Sequence, residues 1–184
     1  MVNKTRIGLL GLGTVGAGVA EILLNPAHRH PLVAEIELAG IAIKDLNRQR
    51  KIKIPSEILT TDATKIVDDP SIQVIVEVMG GLEPARSLII RAIQKGKSVV
   101  TANKAVIARY GNEIANEANK HGVYVLIEAA VGGGIPIIEP IKQSLGGNKI
   151  IRVTGIINGT TNYILTKMEK EGLAFSDILK DAQE

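Results

Sequence analysis

The chain has 184 residues, 45% hydrophobic and 22% charged, with 22 Lys and Arg against 19 Asp and Glu for a formal net charge of +3. This length buries one full domain, or one domain and part of another, and the absence of cysteine excludes disulfides, thiol nucleophiles and cysteine-ligated metals. Interspersed charges, with only three Tyr and one Phe, leave neither a basic face nor an aromatic platform for nucleic acid. No uninterrupted apolar segment is long enough to span a bilayer, so no membrane partner is expected. Lys4 and Arg6 before a small-residue apolar stretch superficially mimic a secretory signal. The glycines there sit at a different, meaningful spacing, and the cytoplasm or an organelle matrix is the expected location.

That spacing opens the chain. Ile7 to Leu10 reads as a buried strand that runs into Gly11-Leu12-Gly13-Thr14-Val15-Gly16, a G-x-G-x-x-G turn. Val15, Val19, Ile22 and Leu23 then recur at helical spacing. In such a turn the first glycine allows the tight bend. The second admits backbone N–H groups to a pyrophosphate, and the third lets helix and strand pack closely. The helix N-terminus adds unpaired N–H groups and partial positive charge.

A proline-punctuated connection carrying His28 and His30 follows; without a third histidine or a carboxylate nearby it reads as a solvated loop. Ile36 to Ile43 is the second strand, ending in Lys44-Asp45 with Arg48, Arg50, Lys51 and Lys53 behind. At this point of the fold an acid accepts from a ribose 2′-hydroxyl and a base accommodates a 2′-phosphate. Lys44 comes first, which favours NADP over NAD, while Asp45 argues the other way. The cluster from Arg50 to Lys53 reads as an ordinary solvated face.

Leu59-Thr60 reads as a short strand and Asp62 as the cap of a small helix stopped by Asp69-Pro70. Val74 to Val78, nearly all β-branched, reads as a strand covered on both faces. Gly80-Gly81 after it is either a neighbour of the cofactor or a plain turn. Pro84 suits the first turn of a helix with Leu88, Ile89, Ala92 and Ile93 inward and Gly96 as its stop. Ser98 to Thr101 is another strand, leading into Ala102-Asn103-Lys104; a lysine there can reach a bound carbonyl oxygen or phosphate. Ile114, Ala115 and Ala118 mark the next helix, Gly122 ends it, and Val123 to Ile127 is the following strand. Strand alternating with helix predicts a doubly wound, Rossmann-type parallel sheet of the α/β class over residues 1–130.

From residue 131 the pattern changes. Gly132-Gly133-Gly134 breaks it, and Pro136 starts a short helix with Ile137, Ile138 and Ile141 on one side. Ile150 to Ile157 reads as a long strand, Asn158 to Asn162 as a polar turn opening a helix that runs to Gly172, and Ser176 as the cap of a last helix.

The chain resembles the N-terminal part of homoserine dehydrogenase. The likeness rests on the stretch from Gly8 to Gly16, on Thr101-Ala102-Asn103-Lys104-Ala105, on the run from Glu128 to Pro136 and on the run from Gly155 to Ile164. It implies reversible hydride transfer between NADP, or NAD, and the aldehyde carbon of aspartate 4-semialdehyde, giving L-homoserine. Lys104 would then be catalytic. The cofactor-binding set would be Gly11, Gly13, Thr14, Val15, Gly16, Lys44, Gly80, Thr101 and Lys104, with Gly159 and Thr160 beside the substrate. The resemblance further implies a sodium ion held by the carbonyls of Val131, Gly133 and Ile135 together with Glu128; hard oxygen donors suit a hard cation.

It also implies that residues 131–184 are the incomplete beginning of an α+β substrate and dimerisation domain, in a parent that is a homo-oligomer. The family's acidic substrate ligand, catalytic aspartate and second lysine follow the helix that matches Ser176 to Glu184 and are not among these residues. Dinucleotide binding with little or no turnover is therefore expected, together with an exposed edge at Ile150 to Ile157 prone to self-association. A non-catalytic dinucleotide-binding module and another semialdehyde reductase of the same fold are the competing readings. An oxidising enzyme working through a thiohemiacetal is excluded by the missing cysteine.

Overall fold

The structure is a computed structural model that describes residues 4–50, 52–156 and 158–182. The chain divides into two compact units, Met1–Ala130 and Val131–Glu184. In the first unit six strands, β1 (Thr5–Leu10), β2 (Ile36–Ala42), β3 (Leu59–Thr60), β4 (Val74–Glu77), β5 (Ser98–Thr101) and β6 (Val125–Leu126), form one sheet in the order β3-β2-β1-β4-β5-β6. Every neighbouring pair is parallel. The order reverses between β1 and β4, which makes the carboxyl ends of those two strands the crevice where ligands bind in such sheets.

Helices α1 (Thr14–Leu24), α2 (Ala63–Asp68), α3 (Ala85–Gln94) and α4 (Lys104–His121) make the crossovers. Each strand sends alternate residues to opposite faces. Leu10, Ile75 and Val99 pack with Ile66, Leu88, Ile89, Ala92, Ile93 and Ile114, while Leu9, Ile41 and Val76 pack with Ala20 on the other face. Each fully buried Leu or Ile contributes about 1.5–3 kcal/mol of transfer free energy. Gly8 and Gly40 lie opposite each other in the β1–β2 register. A Cβ at either would collide with Ile66 of α2, so these two strand glycines are what lets α2 lie close on the sheet.

Local chemistry accounts for the ends. Asp62 accepts from the Thr64 N–H at the start of α2, and Asn103 accepts from the Val106 N–H at the start of α4. Gly122 ends α4 in the left-handed region at φ 63°.

Several expectations need correction. Val15 and Ile22 are exposed, and Gly16 and Ala20 are the buried residues of α1, because the helix sits too close to the strand for larger side chains. The helix marked by Ile114, Ala115 and Ala118 begins already at Lys104, and Ala115 faces solvent. Pro84 caps α3 from outside it.

In the second unit, α5 (Gly159–Glu171) and α6 (Phe175–Asp181) pack together, and Ile164 and Ile178 are their buried residues. Asn158 caps α5, accepting from the Thr161 N–H at 2.8 Å, and Ala174, not Ser176, holds the cap position of α6. The helix expected from Pro136 is a single π-type turn, Pro140–Ser144. The strand expected over residues 150–157 does not form among its described residues 150–156, and Ile157 lies outside the described residues. Ile151 is 92% exposed there. A strand exists only with a ladder partner, and β-branched composition supplies none.

Candidate functional site

Gly11 follows β1 at φ 103°, and a Cβ there would stand 2.8 Å from the Val78 carbonyl oxygen. The Gly11 N–H donates to Ala42 O at 2.9 Å and the Val78 N–H to Leu10 O at 2.9 Å, fixing the turn between the ends of β2 and β4. At Gly16 a Cβ would collide with the carbonyl oxygen of Gly11. At Gly13 it would meet nothing within 4 Å. The outer two glycines thus serve packing, and the middle one keeps open space above the turn.

Gly13 caps α1 without a side-chain hydrogen bond, and the first helical bond runs from Ala17 N to Gly13 O. The N–H groups of Thr14, Val15 and Gly16 are therefore left for an anion.

A cleft of about 450 Å³ opens beside this turn at the carboxyl edge of the sheet. Gly11, Leu12 and Gly13 line one part of it, Lys44, Asp45, Arg48 and Arg50 another, and Val78, Met79 and Pro84 a third. The solvated-face reading of Arg50 fails. Its guanidinium folds back to donate to Asp45 O at 2.7 Å and Arg48 O at 2.8 Å, bracing the loop against the cleft. Lys53 remains exposed, and Lys51 lies outside the described residues. Asp45 Oδ1 accepts from the Asn47 N–H at 2.8 Å, so this carboxylate is turned into its own loop. Lys44 and Arg48 are exposed cations on the cleft.

Gly80 is exposed at φ 75°, directly after cleft-lining Met79. Lys104 is exposed as the first residue of α4, and neither it nor Thr101 lines the cleft. Thr101 is fully buried instead, and its hydroxyl donates to Glu77 Oε2 at 2.6 Å. Glu77, at the end of β4, is itself fully buried. In the sequence its only mark is that a single acid closes an otherwise β-branched strand. Asn103 was equally legible as a cap three residues before Val106.

Among the described residues no group of three or more His, Cys, Asp or Glu is placed to hold a metal. His30 Nδ1 accepts from the Leu32 N–H at 3.3 Å, which is a loop role. Glu128 begins a short 3₁₀ turn at the end of the first unit. In the second unit Val131, Gly133 and Ile135 belong to a turn with Gly132 at φ 70° and Gly133 at φ 62°. Its closing bond runs from Ile135 N to Gly132 O at 3.2 Å and uses none of the three carbonyls assigned to sodium. Gly159 and Thr160 open α5, and Gly159 borders a shallow groove of about 330 Å³ with Tyr163, Lys167 and Lys170. Asp181 accepts the Tyr163 hydroxyl at 2.5 Å and raises its pKa, while Glu171 raises that of Lys167.

A parallel sheet in this strand order, with a glycine-rich turn opening an uncapped helix at its switch point, defines a Rossmann-type dinucleotide-binding domain. Family comparison agrees and goes further. The family described as "Homoserine dehydrogenase, NAD binding domain" matches residues 11–128, and "Homoserine dehydrogenase" matches residues 136–184. The chain belongs to the homoserine dehydrogenase family.

It is 60% identical over 179 residues to the homoserine dehydrogenase of Synechocystis sp., covering 97% of this chain and 41% of that protein. With the Bacillus subtilis enzyme it is 41% identical, covering 100% of this chain and 43% of the relative. The crystal structure of a homoserine dehydrogenase from Thiobacillus denitrificans superposes with a TM-score of 0.79 at 45% identity, over 98% of this chain and 42% of that one. A hyperthermophilic archaeal homoserine dehydrogenase in complex with NADPH gives 0.76 at 27% identity, over 98% and 60%. The chain thus spans well under half the length of these curated relatives. No helix among the described residues is long and apolar enough to cross a membrane.

Proposed function

We propose that this chain is the cofactor-binding portion of an NAD(P)-dependent oxidoreductase that interconverts aspartate 4-semialdehyde and L-homoserine in aspartate-derived amino-acid biosynthesis. The observation that carries the reading is the cleft, in which the open space above Gly13 and the basic loop after β2 line one cavity. The uncapped start of α1 suits a pyrophosphate.

Hydride is what a bound nicotinamide supplies. Reduction of the aldehyde places negative charge on its oxygen, and the Lys104 ammonium stabilises that charge or donates the proton. The α4 N-terminus, where Lys104 sits, adds its partial positive charge in the same region. Gly159 and Thr160 are assigned to the substrate side by resemblance.

NADP is the preferred cofactor in this reading. Asp45 also borders the cleft but spends one oxygen on the Asn47 N–H, while Lys44 and Arg48 face the cleft as two cations, and the NADPH complex of the archaeal relative supports the same choice. Sodium on the carbonyls of Val131, Gly133 and Ile135 with Glu128 fits by donor chemistry, all four donors being oxygens. Residues 1–130 take the cofactor role, and residues 131–184 begin the substrate and dimerisation region of a cytoplasmic or matrix homo-oligomer.

The test is a titration of the 184-residue protein with NADPH and NADH, followed by homoserine-dependent reduction of NADP on the same sample. Binding with NADPH the tighter ligand and no turnover is expected, with turnover appearing in the full-length gene product. Failure to bind either dinucleotide would overturn the reading.

A further inference from the structure

Glu77 is a fully buried carboxyl group at the carboxyl end of a central strand, and it makes no ion pair among the described residues. Burying such a group is costly unless its oxygens are hydrogen-bonded. Here they are. Oε1 accepts from the Met79 N–H at 2.8 Å and from Asn103 Nδ2 at 3.3 Å, and Oε2 accepts from the Thr101 hydroxyl at 2.6 Å.

The partners are themselves tied together. The Asn103 N–H donates to Thr101 Oγ1 at 3.0 Å, Asn103 Nδ2 also donates to Gly81 O at 2.7 Å, and Asn103 Oδ1 accepts from the Val106 N–H at 3.2 Å. One carboxyl group therefore joins three segments: the turn after β4, whose Met79 lines the cleft, the end of β5, and the cap of α4. The residue after that cap is Lys104.

Nothing in sheet packing calls for an acid here. The rest of β4 is Val74, Ile75 and Val76, and an apolar side chain would fill a covered position without desolvating charge. The acid is placed at the ligand edge of the sheet, and its bonds go to the Met79 N–H and to the side chains of Thr101 and Asn103, which directly precede Lys104 in the chain.

We propose that Glu77, with Thr101 and Asn103, is a positioning residue that fixes the start of α4, and with it Lys104, relative to the turn after β4 whose Met79 lines the dinucleotide cleft. The proposal rests on the homoserine dehydrogenase reading and on the role of Lys104 within it. Glu77 touches neither substrate nor cofactor; it acts through the start of α4.

The test is a double-mutant cycle in the full-length enzyme with Glu77→Gln and Lys104→Ala. Glu77→Gln keeps the size of the side chain and the Oε1 acceptor but takes the acceptor from the Thr101 hydroxyl. The expected result is a kcat about tenfold lower with KM for NADPH changed less than about threefold, as for an interaction made at the transition state. In the Lys104→Ala background the same change costs less than about twofold, because residues acting as a unit are not additive. Equal losses in both backgrounds, or a lower melting temperature with kcat intact, would make Glu77 a plain structural brace and overturn the proposal. If Glu77→Gln does not fold, the near-isosteric Thr101→Val, which removes the same hydrogen bond, goes through the same cycle with the same criteria. A wild-type enzyme without homoserine-dependent turnover would instead bring down the reading beneath it.

Discussion

The three glycines around the start of α1 separate binding from stability. In Gly13→Ala the new Cβ meets no atom within 4 Å, and the backbone, at φ −80°, accepts any residue. The cost to the fold is the poorer cap alone, about 0.5–1 kcal/mol. Yet the methyl group stands over the turn where a pyrophosphate must approach, so dinucleotide affinity should fall at least about tenfold, or about 1.4 kcal/mol. In Gly16→Ala the Cβ lies 2.9 Å from the Gly11 carbonyl carbon, closer still to its oxygen, and 3.2 Å from Val78 Cγ2. Alanine returns about 1 kcal/mol of helix propensity, but overpacking against fixed backbone costs about 1–3 kcal/mol. Because the contact is with backbone atoms that cannot swing aside, the upper part of that range applies, leaving a net loss of about 1–2 kcal/mol and a melting temperature lower by about 2–8 °C. Gly18→Ala, with nothing within 4 Å in mid-helix, is the control and should gain about 0.5–1 kcal/mol without touching affinity. NADPH fluorescence titration and thermal denaturation of the four proteins read both quantities. Wild-type affinity in Gly13→Ala, or equal destabilisation by Gly13→Ala and Gly16→Ala, would refute the division of roles.

Lys44→Ala and Arg48→Ala should each weaken NADPH binding more than NADH binding; equal losses in parallel titrations would remove the 2′-phosphate from this loop. On the acid side, hydrogen bonds from Thr64, Arg91 and Ser71 hold Asp62, Asp68 and Asp69 below the ordinary 3.8. Their stabilisation is complete above 3.8 and is lost as pH falls through the folded-state values. Urea midpoints measured down that range should show a shallower decline in Asp68→Asn. Lys97, 4% exposed, donates its ammonium to Ile72 O at 2.6 Å and to Asp69 O. Burial lowers its pKa, so between its folded value and 10.5 the unfolded chain binds more protons and stability rises with pH from this group. Lys97→Met should abolish that slope and cost about 1–3 kcal/mol by orphaning two carbonyls, as read from alkaline denaturation curves.

Elements with a local cause were readable in the chain. Asp62 and Asn158 announce helix starts, Gly122 and Gly172 helix ends, and β4 its double cover, because caps, left-handed turns and β-branched packing act within a few residues. The strand expected over residues 150–157 failed for the opposite reason, since pairing depends on a neighbour that composition does not reveal. Ser176 lies two residues past the cap position that Ala174 holds, and Pro84, expected in the first turn of α3, sits one residue before it at the cap, where several short-range options differ little in energy.

The sequence by itself determined the dinucleotide turn, the parallel sheet and the position of Lys104 at a strand end, because glycine spacing and hydrophobic period are properties of contiguous residues. Only the tertiary structure decided that Arg50 braces the basic loop, that Asp45 spends an oxygen on the Asn47 N–H, and that Glu77 and Asn103, 26 residues apart, share a buried hydrogen bond. Those outcomes depend on which strand ends the sheet order brings together, and a hydrogen bond across 26 residues leaves no periodic trace in the chain.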